Sequence, residues 1–260
     1  MKKYARVKFK NDICYGVMTA DDRIHILKGD CPENFQETGI VTECPEHLLL
    51  PCMPSKIVGT GLNYRDVRLG PGEALPEKPK LFIKPPTTLI GDGESVILPP
   101  MVKDLSCEVE LAVVIGKHCR CVPQDRADEY IWGYTVANDM TASDLQAEDV
   151  LWGRAKSFDT FLPVGPFIVS EIDPSELTLD SRINGAPGQH GSTKDLIKGI
   201  PWLISYISHV MTLLPGDMII TGTPSGYGIK VKAGDFMEME VEKIGKVSNK
   251  IEVIKTPYYF

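Results

Sequence analysis

No stretch of this 260-residue chain approaches the ~18 consecutive apolar residues of a membrane-spanning helix. Nor does an apolar run follow its basic start, residues 1–10, so no secretory leader is expected. Positive charge is in short supply. The 28 Lys+Arg against 35 Asp+Glu give a formal net charge of −7, without the basic excess of a nucleic-acid binder. The seven cysteines include no Cys-x-x-Cys pair, and their odd number argues against a disulfide framework. Also missing are GxxxxGK[ST], HExxH and GxSxG, which sets aside a phosphate-binding loop, a zinc protease and a serine-hydrolase elbow. Gly59-Thr60-Gly61 lacks the third glycine of a dinucleotide fingerprint, and the five histidines show no ligand spacing. With 43% hydrophobic and 24% charged residues, a soluble, cytoplasmic protein of one to two domains is expected, with neither nucleic-acid nor membrane partners.

Short β-like runs at 4–9, 13–18 and 23–27 are separated by the turn signals Asn11-Asp12 and Asp21-Asp22. The stretch Leu50-Pro51-Cys52-Met53-Pro54 disfavours helix and central strand, and reads as a linker. The predicted division is a small N-terminal β-rich domain over 1–54 and a larger domain over 55–260. Within the second, 56–61 and 80–84 read as strands around a long loop, 62–79, of a length that is often functional. The β-branched runs 108–115 and 131–137 are the strongest strands, with a short helix over 123–130 between them. Ile200, Leu203, Ile204, Ile207 and Met211 recur at helical spacing and predict an amphipathic helix over 200–213. Pro201 suits its first turn and Pro215-Gly216 ends it. Strands are predicted again at 217–221, 235–242 and 250–254, so the fold class is β-dominated α+β.

The strongest chemical signal is Cys107-Glu108-Val109-Glu110. On a strand, residues i and i+2 share a face, about 7 Å apart at Cα. Two carboxylates so placed repel unless a cation lies between them, and Mg2+ is a hard cation that takes carboxylate oxygens. Asp139 follows the apolar run 131–137, and a strand end is a rigid place to present a third ligand. The alternative puts both glutamates on a solvated face with Asp139 as a cap, and spacing alone does not decide. Lys156, in Arg154-Ala155-Lys156-Ser157-Phe158-Asp159, fits either a holder of a substrate carboxylate or enolate, or an ordinary exposed lysine. Lys84, before Pro85-Pro86, stands in the same position. Thr221-Gly222-Thr223-Pro224-Ser225-Gly226 is a polar turn, suited to offering hydroxyl and N–H groups to an anion or simply to reversing the chain.

Six motifs in register resemble the fumarylacetoacetate hydrolase superfamily. They are Gly61-Leu62-Asn63-Tyr64-Arg65-Asp66, Leu81-Phe82-Ile83-Lys84-Pro85, Cys107-Glu108-Val109-Glu110-Leu111, the run from Gly133 to Thr141, Ala155-Lys156-Ser157-Phe158-Asp159, and the Thr221–Gly226 turn. Together they cover about 56–253, and the likeness is to bacterial members of the 2-hydroxyhepta-2,4-diene-1,7-dioate isomerase / 5-carboxymethyl-2-oxo-hex-3-ene-1,7-dioate decarboxylase type. The resemblance implies a rolled, mixed β-sheet catalytic domain behind a small N-terminal β domain, usually homodimeric. It implies Mg2+ (or Mn2+) held by Glu108, Glu110 and Asp139, with Lys156 as the catalytic lysine beside the metal. It also implies Tyr64, Arg65, Lys84, Gln146 and Thr223 as substrate-binding residues.

One departure bears on the chemistry. Hydrolytic and decarboxylating members of the family continue the Asn-Tyr-Arg-Asp motif into a His, paired with a Glu on a mobile lid. Here Val67 stands at the His position and Gly70 where the Glu is expected. Glu73 is the candidate replacement base, with Glu77 further along the same loop. A hydrolase that loses its general base forfeits about 10²–10⁴-fold. The expected function is therefore that of a divalent-metal-dependent enzyme acting on a small 2-oxo (di)acid through an enolate that the cation stabilises. Isomerase, tautomerase or decarboxylase chemistry is favoured, on substrates like 2-hydroxyhepta-2,4-diene-1,7-dioate from aromatic-compound catabolism, or oxaloacetate. An acylpyruvate-type C–C hydrolase is the second reading, and a catalytically retired binding or structural subunit the third.

Overall fold

The computed structural model describes residues 1–45, 48–66, 74, 76–225 and 227–253. Strands dominate. Ten of them form one mixed sheet, in the order Gln36–Glu43, Arg23–Lys28, Asp12–Met18, Lys2–Phe9, Phe167–Ser170, Ile131–Asn138, Val109–Ile115, Met218–Ile220, Ile57–Gly61 and Lys80–Lys84. All neighbours in it run antiparallel except Met218–Ile220 beside Ile57–Gly61. The first four strands thus enter the same hydrogen-bonded sheet, through Lys2–Ala5 pairing with Ser170–Phe167. The stretch between Gln36–Glu43 and Ile57–Gly61, where the linker was expected, contributes no described strand or helix.

A five-stranded sheet, Ala186–Ser192, Thr178–Ile183, Phe236–Val241, Gly245–Val253 and Ser95–Leu98, covers the middle of the large one. The sequence of Val109–Ile115 suits a strand covered on both faces, being rich in β-branched residues and apolar at every position but Glu110. Leu111, Val113 and Ile115 join the core that also contains Met237, Met239 and Val247. Ala112 and Val114 face the other cluster with Trp132, Ile168 and Met218. Glu110 shares the parity of Ala112 and Val114, so its carboxylate is carried into the protein on that second face.

Several predicted boundaries shift, each for a physical reason. The helix ends at Val210, not 213, because Met211 is extended and Leu213 exchanges backbone hydrogen bonds with Cys119. The helix predicted over 123–130 is a 3-10 helix, Gln124–Tyr130, which packs on the Ile200–Val210 helix. The last strand begins at Gly245, five residues before 250. Its Ser248 and Asn249 look like turn residues, yet Asn249 is buried and donates to the carbonyls of Gly91 and Glu94. Glu108 lies in a break between Leu105–Cys107 and Val109–Ile115 rather than inside one strand. All seven cysteines are free, and among the described residues no helix is long and apolar enough to cross a membrane.

Candidate active site

The three carboxylates converge because two antiparallel strands end together. Val109 pairs with Asn138, so Glu110 and Asp139 emerge at the same end of the pair. The break at Glu108 is held by side chains. The Glu108 N–H donates to Asn138 Oδ1 at 3.0 Å, the Val109 N–H to Gln189 Oε1 at 3.0 Å, and the Asp139 N–H to the Glu108 carbonyl at 2.9 Å. One carboxylate oxygen from each of Glu108, Glu110 and Asp139 then lies within 4.8 Å of the others.

Two lysines face this cluster. Lys156, at the end of the short Gly153–Lys156 helix, donates from Nζ to Asp139 Oδ2 at 2.5 Å, Thr141 Oγ1 at 2.6 Å and Glu108 Oε2 at 2.9 Å. Its ammonium also sits 4.9 Å from the Phe82 ring centroid. Lys84 ends the Lys80–Lys84 strand and donates to Asp139 Oδ1 at 2.6 Å and the Met140 carbonyl at 3.2 Å. Burial disfavours the Lys156 ammonium, but Asp139 and Glu108 outweigh it and hold this lysine above its ordinary range. Burial pulls Lys84 down, only partly opposed by Asp139. Burial would raise Asp139 too, yet the two ammonium groups keep it below the usual carboxylate range.

Glu110 is the exception. Its Oε2 accepts from the Gly222 N–H at 2.6 Å, and among the described residues no cation pairs with it. Burial, reinforced by Asp139 and Glu108, pushes its carboxyl well above the ordinary range. Gly222 reaches it from a left-handed φ of 96°, where a Cβ would lie 3.0 Å from the Thr60 carbonyl. Counted with every group ionised, three carboxylates against two ammonium groups leave one net negative charge, and the all-oxygen donor set fits Mg2+ or Mn2+. With a divalent cation added, the site carries one net positive charge and calls for an anionic ligand.

A cavity of about 160 Å³ opens on the cluster, lined by Glu108, Glu110, Asp139 and Lys156 together with Tyr64, Gln146 and Thr223. This is below the ~300–1,000 Å³ of drug-sized pockets and suits a small acid. Burial keeps the Tyr64 phenol protonated, and its hydroxyl finds no hydrogen-bond partner among the described residues. The Thr223 hydroxyl is committed to the protein, donating to the Val109 carbonyl at 2.8 Å and accepting from Gln189 Nε2 at 2.8 Å. Lys84 does not line the cavity but stands behind Asp139, fully buried. Arg65 is exposed and away from the lining, and Glu73 and Val67 lie outside the described residues. Among the described residues no histidine lines the cavity. A larger cavity of about 490 Å³, lined by Arg6, Leu50, Leu89 and Glu94, brings no comparable set of groups together.

Sequence reasoning missed the groups that act through tertiary contact. Trp152 and Phe82 also line the cavity, their ring centroids 5.8 Å apart. A Cβ on Gly61 would come within 2.3 Å of Trp152, so Gly61 was the available signal for that wall. Asn63 is a clamp, accepting from the Lys198 N–H and donating to the Lys198 and Thr221 carbonyls. Asn138 lies within the Gly133–Thr141 motif with no role assigned to it there, and Gln189 lies in none of the six motifs.

The family description for the fumarylacetoacetate (FAA) hydrolase C-terminal domain matches residues 56–252. A 2,4-didehydro-3-deoxy-L-rhamnonate hydrolase of a Sphingomonas strain is 37% identical over 253 residues, covering 88% of this chain and 89% of that protein. The mitochondrial oxaloacetate tautomerase Fahd2a of Rattus norvegicus is 36% identical over 208 residues, covering 76% and 66%. Among solved structures, 2-hydroxyhepta-2,4-diene-1,7-dioate isomerase from Mycobacterium marinum superimposes with a TM-score of 0.89 at 34% identity, covering 98% of this chain and all of that one. Fumarylpyruvate hydrolase from Pseudomonas aeruginosa, in complex with Mn2+ and pyruvate, gives 0.72 at 27% identity over 80% of this chain and all of that one.

Proposed function

Because the chain belongs to the fumarylacetoacetate hydrolase family, we propose that it is a divalent-cation-dependent enzyme that converts a small 2-oxo (di)acid through its enolate, as an isomerase, tautomerase or decarboxylase. Glu108, Glu110 and Asp139 would hold Mg2+ or Mn2+, which as a Lewis acid stabilises negative charge developing on substrate oxygens. The carrying observation is the buried cluster itself, with its uncompensated carboxylate at Glu110, beside a cavity sized for a small acid.

The chain's own groups fill distinct roles in this reading. Lys156 is held charged, so it serves as a fixed positive charge toward an anionic oxygen and not as the proton acceptor. Tyr64 remains a neutral phenol, a donor toward an anionic oxygen in a water-poor wall. Lys84 keeps Asp139 ionised from behind. Val67 replaces the lid His that would activate water, and proton relocation or loss of CO2 needs no water nucleophile, which favours these reactions over hydrolysis. Similarity to two hydrolases keeps C–C hydrolysis as the second reading, with Glu73 as the base. A retired subunit is disfavoured by the intact carboxylates and Lys156. A cytoplasmic homodimer completes the proposal, and light scattering on a sizing column checks the oligomeric part.

The test is a time course with Mg2+ and freshly dissolved enol-oxaloacetate, following enol absorbance and pyruvate in one sample against an EDTA control. Accelerated enol loss without pyruvate supports a tautomerase, and pyruvate release a decarboxylase. If neither exceeds the control for oxaloacetate or for longer ring-cleavage diacids, the enzymatic reading is lost.

A further inference from the structure

Gln189 lies outside all six motifs, on a hairpin far in sequence from every residue assigned above. Its strand, Ala186–Ser192, pairs with Thr178–Ile183, and the register slips by one residue: Asp180 faces His190 while Arg182 faces Pro187. Gly188 and Gln189 therefore share the single position opposite Ser181. Such a bulge re-aims a side chain out of the regular alternation. The Gln189 N–H turns to Ser181 Oγ at 2.7 Å, and its side chain leaves the hairpin for the site. Gly188 allows the approach, since a Cβ there would meet Ser181 Oγ at 2.6 Å.

The buried carboxamide is fully used. Oε1 accepts from the Val109 N–H at 3.0 Å, between the two glutamates. Nε2 lies against three acceptors on the opposing turn: Thr223 Oγ1 at 2.8 Å, the Pro224 carbonyl at 2.9 Å and the Tyr227 carbonyl at 3.1 Å. The orientation of the amide is fixed by these partners, because an N–H requires the oxygen and two carbonyls require the nitrogen. The Thr223 hydroxyl, receiving Nε2 and giving its proton to Val109, is left with no proton for a ligand. Its backbone N–H donates to no acceptor among the described residues and remains the turn's own donor.

We propose that Gln189 is a positioning residue that fixes Thr223, Pro224 and Tyr227 against the strand of the carboxylate cluster and so sets the distance at which the substrate's anionic end is received. The inference rests on the 2-oxo acid reading above. It predicts that loss of the carboxamide weakens ligand capture through the turn, while the carboxylates, held by Asn138 and Gly222 as well, keep their cation.

The experiment compares wild type with Gln189→Met, which keeps volume and removes every side-chain hydrogen bond, and Gln189→Glu. The glutamate keeps an acceptor for Val109 but turns an oxygen toward the Pro224 and Tyr227 carbonyls. Oxalate, a planar dianion resembling a 2-oxo acid enolate, is titrated calorimetrically at saturating Mg2+. Mg2+ half-saturation, Tm and the KM and kcat of any turnover are measured alongside. In both variants oxalate affinity is expected to fall at least tenfold and KM to rise in step, with Mg2+ half-saturation within about threefold. Lower Tm and lower apparent kcat with unchanged oxalate affinity and KM would mean a merely structural glutamine and overturn the proposal. If one variant does not fold, the other decides. If wild type itself binds no oxalate with Mg2+, the functional reading fails first and this inference with it.

Discussion

At the scale of single residues, the site is a set of charges whose balance depends on Lys156. Removing one partner of a buried ion pair costs about 3–5 kcal/mol, because the other charge is left uncompensated. Lys156→Met is expected to destabilise the metal-free protein by roughly that amount in urea unfolding, and to lower turnover about 10²–10³-fold, as for loss of one preorganised electrostatic group. Glu108→Gln keeps the size of the side chain but removes one anionic ligand. Metal-dependent turnover should vanish in it, leaving rates equal with Mg2+ and with EDTA. Full activity in that variant would sink both the isomerase and the hydrolase readings.

The two more deeply buried carboxylates of the cluster respond to pH in opposite senses. Glu110 is raised, so the folded chain binds a proton there more readily than the unfolded chain, and its contribution to stability declines as pH rises through and above the ordinary carboxylate range. Asp139 is depressed, so its contribution is present above the ordinary range and is lost as pH falls below it. A cation competes with the Glu110 proton. The gain in Tm on adding Mg2+ should therefore grow between about pH 5 and pH 8, measured by scanning calorimetry with and without EDTA. A gain that shrinks over that interval would contradict the placement of the metal at Glu110. The spacing of Glu108 and Glu110 made them candidates without deciding between a metal site and a solvated face, and it was the six motifs in register that singled them out together with Asp139. The roles of Asn138 and Gln189 were not legible, since an amide declares its role only through partners brought from other strands.

At the scale of elements, the parallel pair Met218–Ile220 and Ile57–Gly61 is fastened at its start by one buried carboxylate. Asp217 Oδ1 accepts from the Ser55 N–H at 2.8 Å, Ser55 Oγ at 2.7 Å and the Lys56 N–H at 3.1 Å. Its Oδ2 accepts from the Leu214 N–H at 2.8 Å and pairs with the Lys56 ammonium. Asp217→Ala strands several donors at once and is expected to cost about 3 kcal/mol or more in urea unfolding. Periodicity located most strands and the one long helix, because β-branched runs and i, i+3, i+4 spacing report burial directly. It misplaced ends where backbone partners came from elsewhere. Leu213 pairs with Cys119 instead of continuing the helix, and Asn249 is drawn into a strand by two carbonyls of the 91–94 turn.

At the scale of the molecule, the N-terminal strands are joined to the sheet that carries the site. Tyr4, Tyr15 and Phe35 surround Trp132 with ring centroids 5.1–5.7 Å from it, and Trp132 belongs to the same strand whose end presents Asp139. A chain beginning at residue 55 would bare that tryptophan and the edge of Phe167–Ser170, an invitation to pairing with other chains. Such a chain is expected to show a lower Tm and concentration-dependent light scattering relative to the full chain. Comparable solubility and Tm would mean that the larger unit is self-sufficient.

The place of Val109–Ile115 in the sheet also orders events during folding. One neighbour, Ile131–Asn138, lies close in sequence, whereas the other, Met218–Ile220, arrives more than a hundred residues later. The first pairing involves residues within little more than the first half of the chain, whereas the Gly222 N–H and the Asp217 fastening come with the second. Pairings of such sequence separation are slow to close. Completion of the carboxylate cluster therefore depends on the long-range pairing of Val109–Ile115 with Met218–Ile220, since that strand leads into Gly222, whose N–H donates to Glu110.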